Sequence, residues 1–370
     1  MNKTFFKIIL PLWLLIVIAN FLIPKKAFSE TENRFLTEFP SFSAEKLFNG
    51  EFMQNVDNYF NDHFALRDQW ITLKTGLDLS VGKRESNGVY IGKDVLLENI
   101  QTPNQTYVDK NIQGIKSFAD KYKSNIYFML VPSASAIQPE KLPPLAPTWD
   151  QQEYIINTYA KLPNGVTAID AYTALKAHSD EYIYYRTDHH WTTKGAFYAY
   201  QEASKTMNLA KREQNDFVIK KQTDDFYGTL ASKSGMRVMK ADSIETYDLS
   251  TKSTFSVTSD NKTKDYDSIY FKEFLGKKDK YSFFLGTNQP VVTIKTDSKS
   301  DKKLLLFKDS YSHCFAPFFV EDYSEIVLMD MRYINTDIDN VIQVSDYSDV
   351  LFMYSMDVFT HQNQLSKLIK

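Results

Sequence analysis

The sequence holds a single cysteine, Cys314, in 370 residues, so no intrachain disulfide can form and no cysteine-rich zinc or iron–sulfur site can be assembled. A lone thiol leaves the redox compartment undecided. Neither sign of charge dominates: 43 Lys and Arg stand against 46 Asp and Glu, a formal net charge of −3. The basic residues are scattered, with no stripe to follow a phosphate backbone, and no nucleic-acid partner is expected. There is no Walker loop, dinucleotide glycine pattern, EF-hand loop or internal repeat, and no cofactor is expected. Histidine is scarce as well, at six, which makes any clustering of it informative.

What is present is a chain 43% hydrophobic, enough for a sizeable core in one large domain or two smaller ones. Phe5 to Ile23 carries no charge but Lys7 and is long enough to cross a bilayer as a helix. Residues 1–29 read as an uncleaved anchor or a signal segment. Ala27-Phe28-Ser29 offers a small-x-small cleavage site, but the apolar run is longer than a usual signal core and favours the anchor. Lys3 and Lys7 before the span and Lys25 and Lys26 after it leave its orientation open. Either way, the polar chain from about residue 30 is expected outside the cytoplasm.

Ser43 to Lys83 has a helical period, with Asp62, His63 and Arg67 interrupting an apolar face, and Gly88 to Leu97 reads as a hairpin. Strands and helices then alternate: a helix through Val108–Tyr122, a strand Ile126–Val131 stopped by Pro132, a helix Tyr154–Leu162 and a strand Val166–Ile169. Tyr182–Arg186 reads as a strand, Thr187–Trp191 as the loop at its end, and Thr192–Met207 as a helix capped by Thr192 or Thr193. Phe226 to Thr296 is a polar excursion, an insertion or lid, with expected strands Thr254–Val257 and Ser268–Phe271 around Asp260-Asn261. The alternation returns with strands Lys303–Phe307, Ile326–Met329 and Val350–Tyr354 and a helix near Tyr311–Phe319. This rhythm predicts an α/β fold with a parallel sheet covered on both faces. Ligands then bind beyond the carboxyl ends of its strands, near Ser133, Ser135 and Asp170.

Asp188-His189-His190-Trp191 puts a carboxylate and two imidazoles in consecutive positions. On an extended loop Asp188 and His190 share one side and His189 faces the other, so Asp188 can fix the tautomer of His190. Ser310 follows the Lys303–Phe307 strand at a turn, where a nucleophile would project from the sheet edge. One reading is a triad of Ser310, His190 and Asp188. A second is a divalent metal held by Asp188, His189, His190 and Asp309 or His313. A third is a polar loop whose groups satisfy one another.

Tyr184 through Trp191, followed by Thr192 and Gly195-Ala196, resembles the DHHW family of exported bacterial proteins, which is related to the alginate O-acetylation proteins and to SGNH hydrolases. Asn33-Arg34, Phe60–Arg67, Phe226–Leu230, Phe284–Asn288, Lys308–Tyr311, Cys314–Phe318 and Asp330–Tyr333 are similar to it in the same order, from about residue 33 to about 355. The resemblance implies an SGNH hydrolase-like catalytic domain over residues 30–370 with an insertion near 226–296 and a rearranged active-site order, Asp-x-His preceding Ser. It implies catalytic Ser310, His190 and Asp188 with no metal, His189 beside the pair, and Trp191 fixing the loop. The Ser310 amide would bind the oxyanion, with Asn288, Tyr354 and Arg332 as further oxyanion or substrate contacts. The implied function is a membrane-tethered O-acetyltransferase acting on an exported polysaccharide, supplied with acyl groups by a membrane-bound O-acyltransferase. A carbohydrate acetylesterase with the same triad and a non-catalytic glycan-binding scaffold are its alternatives.

Overall fold

The computed structural model describes residues 3–29, 34–236, 239–249, 255–259, 262–266 and 268–369, so Asn33, Thr254, Asp260 and Asn261 lie outside the described residues. The chain divides into two units, one of Met1–Asn87 with Ala231–Val238, the other of Gly88–Leu230 with Met239–Lys370.

In the first unit the apolar amino-terminal stretch forms a helix, Lys3–Leu22, whose Trp13, Leu15 and Ile18 are exposed. Among the described residues no helix is long and apolar enough to cross a membrane, where residues 1–29 were expected to supply one. The helical stretch after it is split into Ala44–Phe48, Glu51–Asp62 and Arg67–Ser80, the last break marked by the left-handed Leu66 (φ 58°). Asp62 and His63 serve structure here. The Asp62 carboxylate accepts from the Thr37 amide and hydroxyl at 2.8 Å each, and His63 Nε2 lies 2.9 Å from the Thr37 carbonyl.

The second unit is built on an eight-stranded sheet. Its strands, in chain order, are β1 (Asn125–Val131), β2 (Val166–Ala168), β3 (Phe255–Ser259), β4 (Lys262–Tyr266), β5 (Val291–Lys295), β6 (Lys303–Lys308), β7 (Glu325–Met329) and β8 (Asp349–Ser355). They lie in the spatial order β4-β3-β5-β7-β6-β8-β1-β2. The run β7-β6-β8-β1-β2 is parallel. Its central strands are continuous apolar runs because both faces are covered. Leu304 and Leu306 of β6 point into one core, with Trp191, Phe197 and Tyr200, while Leu305 and Phe307 point into the other, with Phe118, Phe128 and Phe352. That alternation is the period of two of a strand. All four β6 side chains are fully buried, each contributing about 1.5–3 kcal/mol. The helix Thr193–Thr206 covers the first face through Ala196, Phe197, Ala199, Tyr200 and Ala203. The helix Gln105–Lys121 covers the second through Val108, Ile115 and Phe118.

Four expectations need correction. The sheet is mixed, because β5 is antiparallel to β7, β3 to β5 and β4 to β3. The 296–302 link between β5 and β6 is too short for a parallel crossover, which needs about a dozen residues. The strand expected at Ser268–Phe271 is instead a loop with one bridge, Tyr270 to Phe284, and β3 and β4 add the far edge. Tyr182–Arg186 likewise keeps only the bridge Tyr184–Trp191. Finally, the helix expected near Tyr311–Phe319 is two 3₁₀ turns, Ser310–His313 and Ala316–Phe319. Pro317 lacks the amide that a continuous α-helix would require there.

Candidate active site

The loop Thr187–Trp191 is held from three sides. At its start the buried Asp242 carboxylate accepts from the Arg186 amide at 2.8 Å, the Thr187 amide at 2.8 Å and the Thr187 hydroxyl at 2.5 Å. Across its base the Tyr185 amide donates to the His190 carbonyl at 3.2 Å and the Thr192 amide to the Ile183 carbonyl at 2.9 Å. At its end Thr192 caps the following helix, its hydroxyl accepting from the Gly195 amide at 3.3 Å. The Trp191 ring is fully buried, and its Nε1–H donates to the Tyr311 carbonyl at 3.0 Å. Trp191 thus joins this loop to the turn after β6.

That turn is fixed from beneath. The Asp309 carboxylate, fully buried, accepts from the Tyr311 amide at 2.9 Å and from the amide and hydroxyl of Ser355 at 2.7 Å each. Ser355 ends β8, the neighbour of β6, so two adjacent strand ends are clamped beside Ser310. Burial raises the Asp309 pKa, and the bonds from Ser355 and Tyr311 oppose that rise.

Ser310, His190 and Asp188 come together across this junction. Ser310 Oγ lies 2.7 Å from His190 Nε2, and His190 Nδ1 lies 2.5 Å from Asp188 Oδ1. The same Oδ1 accepts from the His190 amide at 3.0 Å. Asp188 Oδ2 accepts from the Thr229 amide at 2.8 Å and its hydroxyl at 3.0 Å. Both carboxylate oxygens are therefore occupied, and the second is turned away from the imidazole. Burial would raise the Asp188 pKa, but His189, His190 and the bond from Thr229 outweigh it and hold the carboxyl well below the usual range. Burial pushes His190 down to about 4, helped by the charge of His189 and opposed by Asp188. At neutral pH the imidazole is uncharged, with Nδ1–H donated to Asp188 and Nε2 open to the serine proton. Its ring stacks on Tyr281, centroids 3.8 Å apart and planes within 8°. The Tyr281 hydroxyl in turn donates to the Ser310 carbonyl at 3.1 Å.

His189 does not face the other way as expected: its ring lies 3.9 Å from that of His190, centroid to centroid, and its Nδ1 is 3.8 Å from Asp188 Oδ1 and 2.7 Å from the Thr229 hydroxyl. With Ser310 and Arg332 it lines a cleft of about 260 Å³ at the ends of β1, β6 and β8. Ser310 is half-buried there, and its amide meets no acceptor among the described residues. Arg332 reaches the cleft paired with buried Asp330, at 2.9 Å through Nε and 2.6 Å through a terminal nitrogen. Asn288 and Tyr354 do not line it. Asn288 Oδ1 accepts from the buried Lys308 ammonium at 3.0 Å. Tyr354 lies wholly within the core, its hydroxyl without a partner among the described residues.

The metal reading finds only part of its donor set. Ligand atoms of Asp188, His189 and His190 lie within 4.8 Å of one another, but both His190 nitrogens are engaged by Asp188 and Ser310. Asp309 is spent on Ser355 and Tyr311, and His313 Nε2 accepts from Lys308 at 2.8 Å.

Three neighbours were given no role by the sequence. Thr229 anchors Asp188, Tyr281 carries the imidazole, and Gly228 makes room: a Cβ there would stand 2.2 Å from Asp188 Cβ. The one available signal was Gly228-Thr229 itself, a residue suited to close backbone approach followed by a hydroxyl donor.

A family model described as DHHW protein matches residues 80–329. The protein named Probable alginate O-acetylase AlgJ, of Pseudomonas syringae pv. tomato, is 24% identical over 179 residues, covering 46% of this chain and 46% of that protein. The chain thus matches about half the length of that relative. Among solved structures, a DHHW family protein from Eubacterium siraeum is 26% identical with a TM-score of 0.65, over 76% of this chain and 95% of that one. Bacillus cereus PatB1, solved with a sulfonyl adduct, has a TM-score of 0.64 at 20% identity over 76% of this chain and 98% of its own, a likeness of fold.

Proposed function

The chain belongs to the DHHW family, and from that premise we propose that it is an O-acetyltransferase acting on an exported polysaccharide through an acyl-enzyme on Ser310. The observation that carries this reading is the unbroken Ser310–His190–Asp188 hydrogen-bond chain opening on a cleft. Ser310 Oγ attacks the acyl carbonyl as His190 Nε2 takes its proton. Asp188 stabilises the imidazolium and keeps its Nδ1–H in place. The unengaged Ser310 amide stabilises the oxyanion. His190 then returns the proton to the leaving group. A sugar hydroxyl, deprotonated in turn by His190, attacks the acyl-serine and carries the acetyl group away.

An acetylesterase would run the same first half-reaction and resolve it with water. The transferase reading is supported by the relative named for alginate O-acetylation. A scaffold without catalysis would have no use for a neutral, oriented imidazole on a serine. The tether and its location outside the cytoplasm belong to the proposal too. Their support is the 20-residue helix Lys3–Leu22 with its exposed apolar side chains, and a membrane-bound O-acyltransferase is the proposed acyl source. Fractionation of expressing cells tests the tether: recovery of the full chain wholly in the soluble fraction would refute it.

For the chemistry, the full chain is given a chromogenic acetyl ester with and without glycan acceptors. The expected outcome is turnover lost in Ser310→Ala and, with acceptor present, acetyl recovered on sugar. Free acetate alone would favour the esterase. Undiminished turnover in Ser310→Ala would remove the triad.

A further inference from the structure

We infer that Tyr281 is a positioning residue whose ring face stabilises the imidazolium that His190 becomes on taking the Ser310 proton; this rests on the proposed acyl transfer. The Tyr281 ring lies parallel to the His190 ring, centroids 3.8 Å apart and planes within 8°. An aromatic face attracts a cation within about 6 Å of its centroid, most strongly where water is excluded. Both residues are buried.

The charge appears only during the reaction. As Ser310 Oγ bonds to the acyl carbon, the carbonyl electron pair moves to its oxygen, the hydroxyl proton passes to His190 Nε2, and the imidazole becomes positive. Burial and the charge of His189, whose ring is 3.9 Å away, oppose that change, while Asp188 at Nδ1 favours it. From the turn after β6, Ser310 meets Nε2 and the Tyr311 ring stands 4.9 Å off. His313, its ring 6.5 Å from that of Tyr281, is kept uncharged by burial and by Lys308. A neutral imidazole gains only stacking from Tyr281. The imidazolium gains the attraction of the ring face as well, so the contact strengthens on the way to the transition state and lowers the barrier.

Tyr281 is itself held in place. It lies on the 3₁₀ turn Lys280–Phe283, capped by Asp279, whose carboxylate accepts from the Ser282 hydroxyl at 2.6 Å. Phe284 and Tyr185 pack around its ring at 5.6 and 6.4 Å between centroids. Its hydroxyl donates to the Ser310 carbonyl at 3.1 Å and stands 3.4 Å from Cys314 Sγ. One side chain therefore holds the base by its ring and the backbone of the nucleophile by its hydroxyl.

Tyr281→Phe in the full chain, followed by the same variant with one, two and three fluorines on the introduced ring, tests this. Fluorine withdraws charge from the ring face and leaves its shape nearly unchanged, so a purely structural role would not register the series. With a chromogenic acetyl ester, Tyr281→Phe is expected to lower kcat about fivefold through the lost hydroxyl. The fluorines should lower it further in steps, by about tenfold at three, with KM unchanged. The titration of the His190 imidazole, followed by NMR in the same proteins, should move to lower pH in the same steps, since the charged form loses its support. A kcat indifferent to fluorine, or a His190 titration unmoved by it, would overturn the inference while Ser310-dependent turnover left acyl transfer standing. Turnover absent throughout, with the titration still stepping down, would remove the acyl-transfer reading and leave the hold of the ring on His190.

Discussion

Gly228→Ala adds one methyl group and should nearly silence the proposed acyl transfer. The Cβ would stand 2.2 Å from Asp188 Cβ and 2.3 Å from its Oδ2, where ordinary contact begins at 3.4 Å. Asp188 or the 228–229 backbone must therefore give by about 1 Å, a misplacement that costs on the order of 100-fold in rate when it falls on the groups that align a reaction. Either movement pulls Asp188 Oδ2 off Thr229 and tilts the carboxylate under His190. Overpacking of this kind also costs about 1–3 kcal/mol of stability, so folding must be separated from function. Gly165→Ala supplies the control. Gly165 has a φ of +88° with nothing within 4 Å of an added Cβ, so alanine there strains the backbone without touching the site. Steady-state turnover of a chromogenic acetyl ester, read beside a urea denaturation curve, gives both quantities. The expected result is a folded Gly228→Ala with kcat down about 100-fold and a Gly165→Ala that is less stable but active. A folded Gly228→Ala with kcat within twofold of the parent would refute the proposed dependence on Asp188 placement.

Further outcomes follow from the same contacts. Because burial and His189 push His190 down to about 4, the base stays neutral well below the ordinary histidine range. The acid limb of kcat/KM should fall near pH 4, with activity lost as the pH drops through it, and His189→Gln should move that limb upward. A limb near 6.5 unmoved by the substitution would count against the assignment. Lys308→Met should destabilise the fold by about 3 kcal/mol in urea denaturation. It removes the buried donor to Asn288 and His313 and leaves Asp330 to Arg332 alone; a loss under about 1 kcal/mol would show that the ammonium is dispensable.

The parallel core was legible because β1, β6, β7 and β8 are buried on both faces and read as unbroken apolar runs such as Leu304–Phe307. Of the antiparallel edge, β3 was legible over Phe255–Val257 of the expected strand, but β4 was not, since Lys-Thr-Lys-Asp-Tyr reads like any surface loop. The 3₁₀ turns after Ser310 were hidden because Tyr311–Phe319 has helical apolar spacing, and Pro317 alone spoke against a helix. In the site, residue type and side-chain alternation singled out Asp188 and His190, and the strand-end turn singled out Ser310. Thr229 and Tyr281 act through contacts to residues 41 and 29 positions away. Beyond the glycine that precedes Thr229, nothing local distinguishes two such common residue types.

The proposed chemistry stands or falls on a covalent intermediate. The full chain is mixed with a chromogenic acetyl ester, quenched in acid within the first turnover, digested and read by mass spectrometry. One acetyl group on the peptide carrying Ser310, absent from Ser310→Ala and diminished in Gly228→Ala, is the expected result. Turnover with no acetyl on Ser310, or with the acetyl on another side chain, would contradict it.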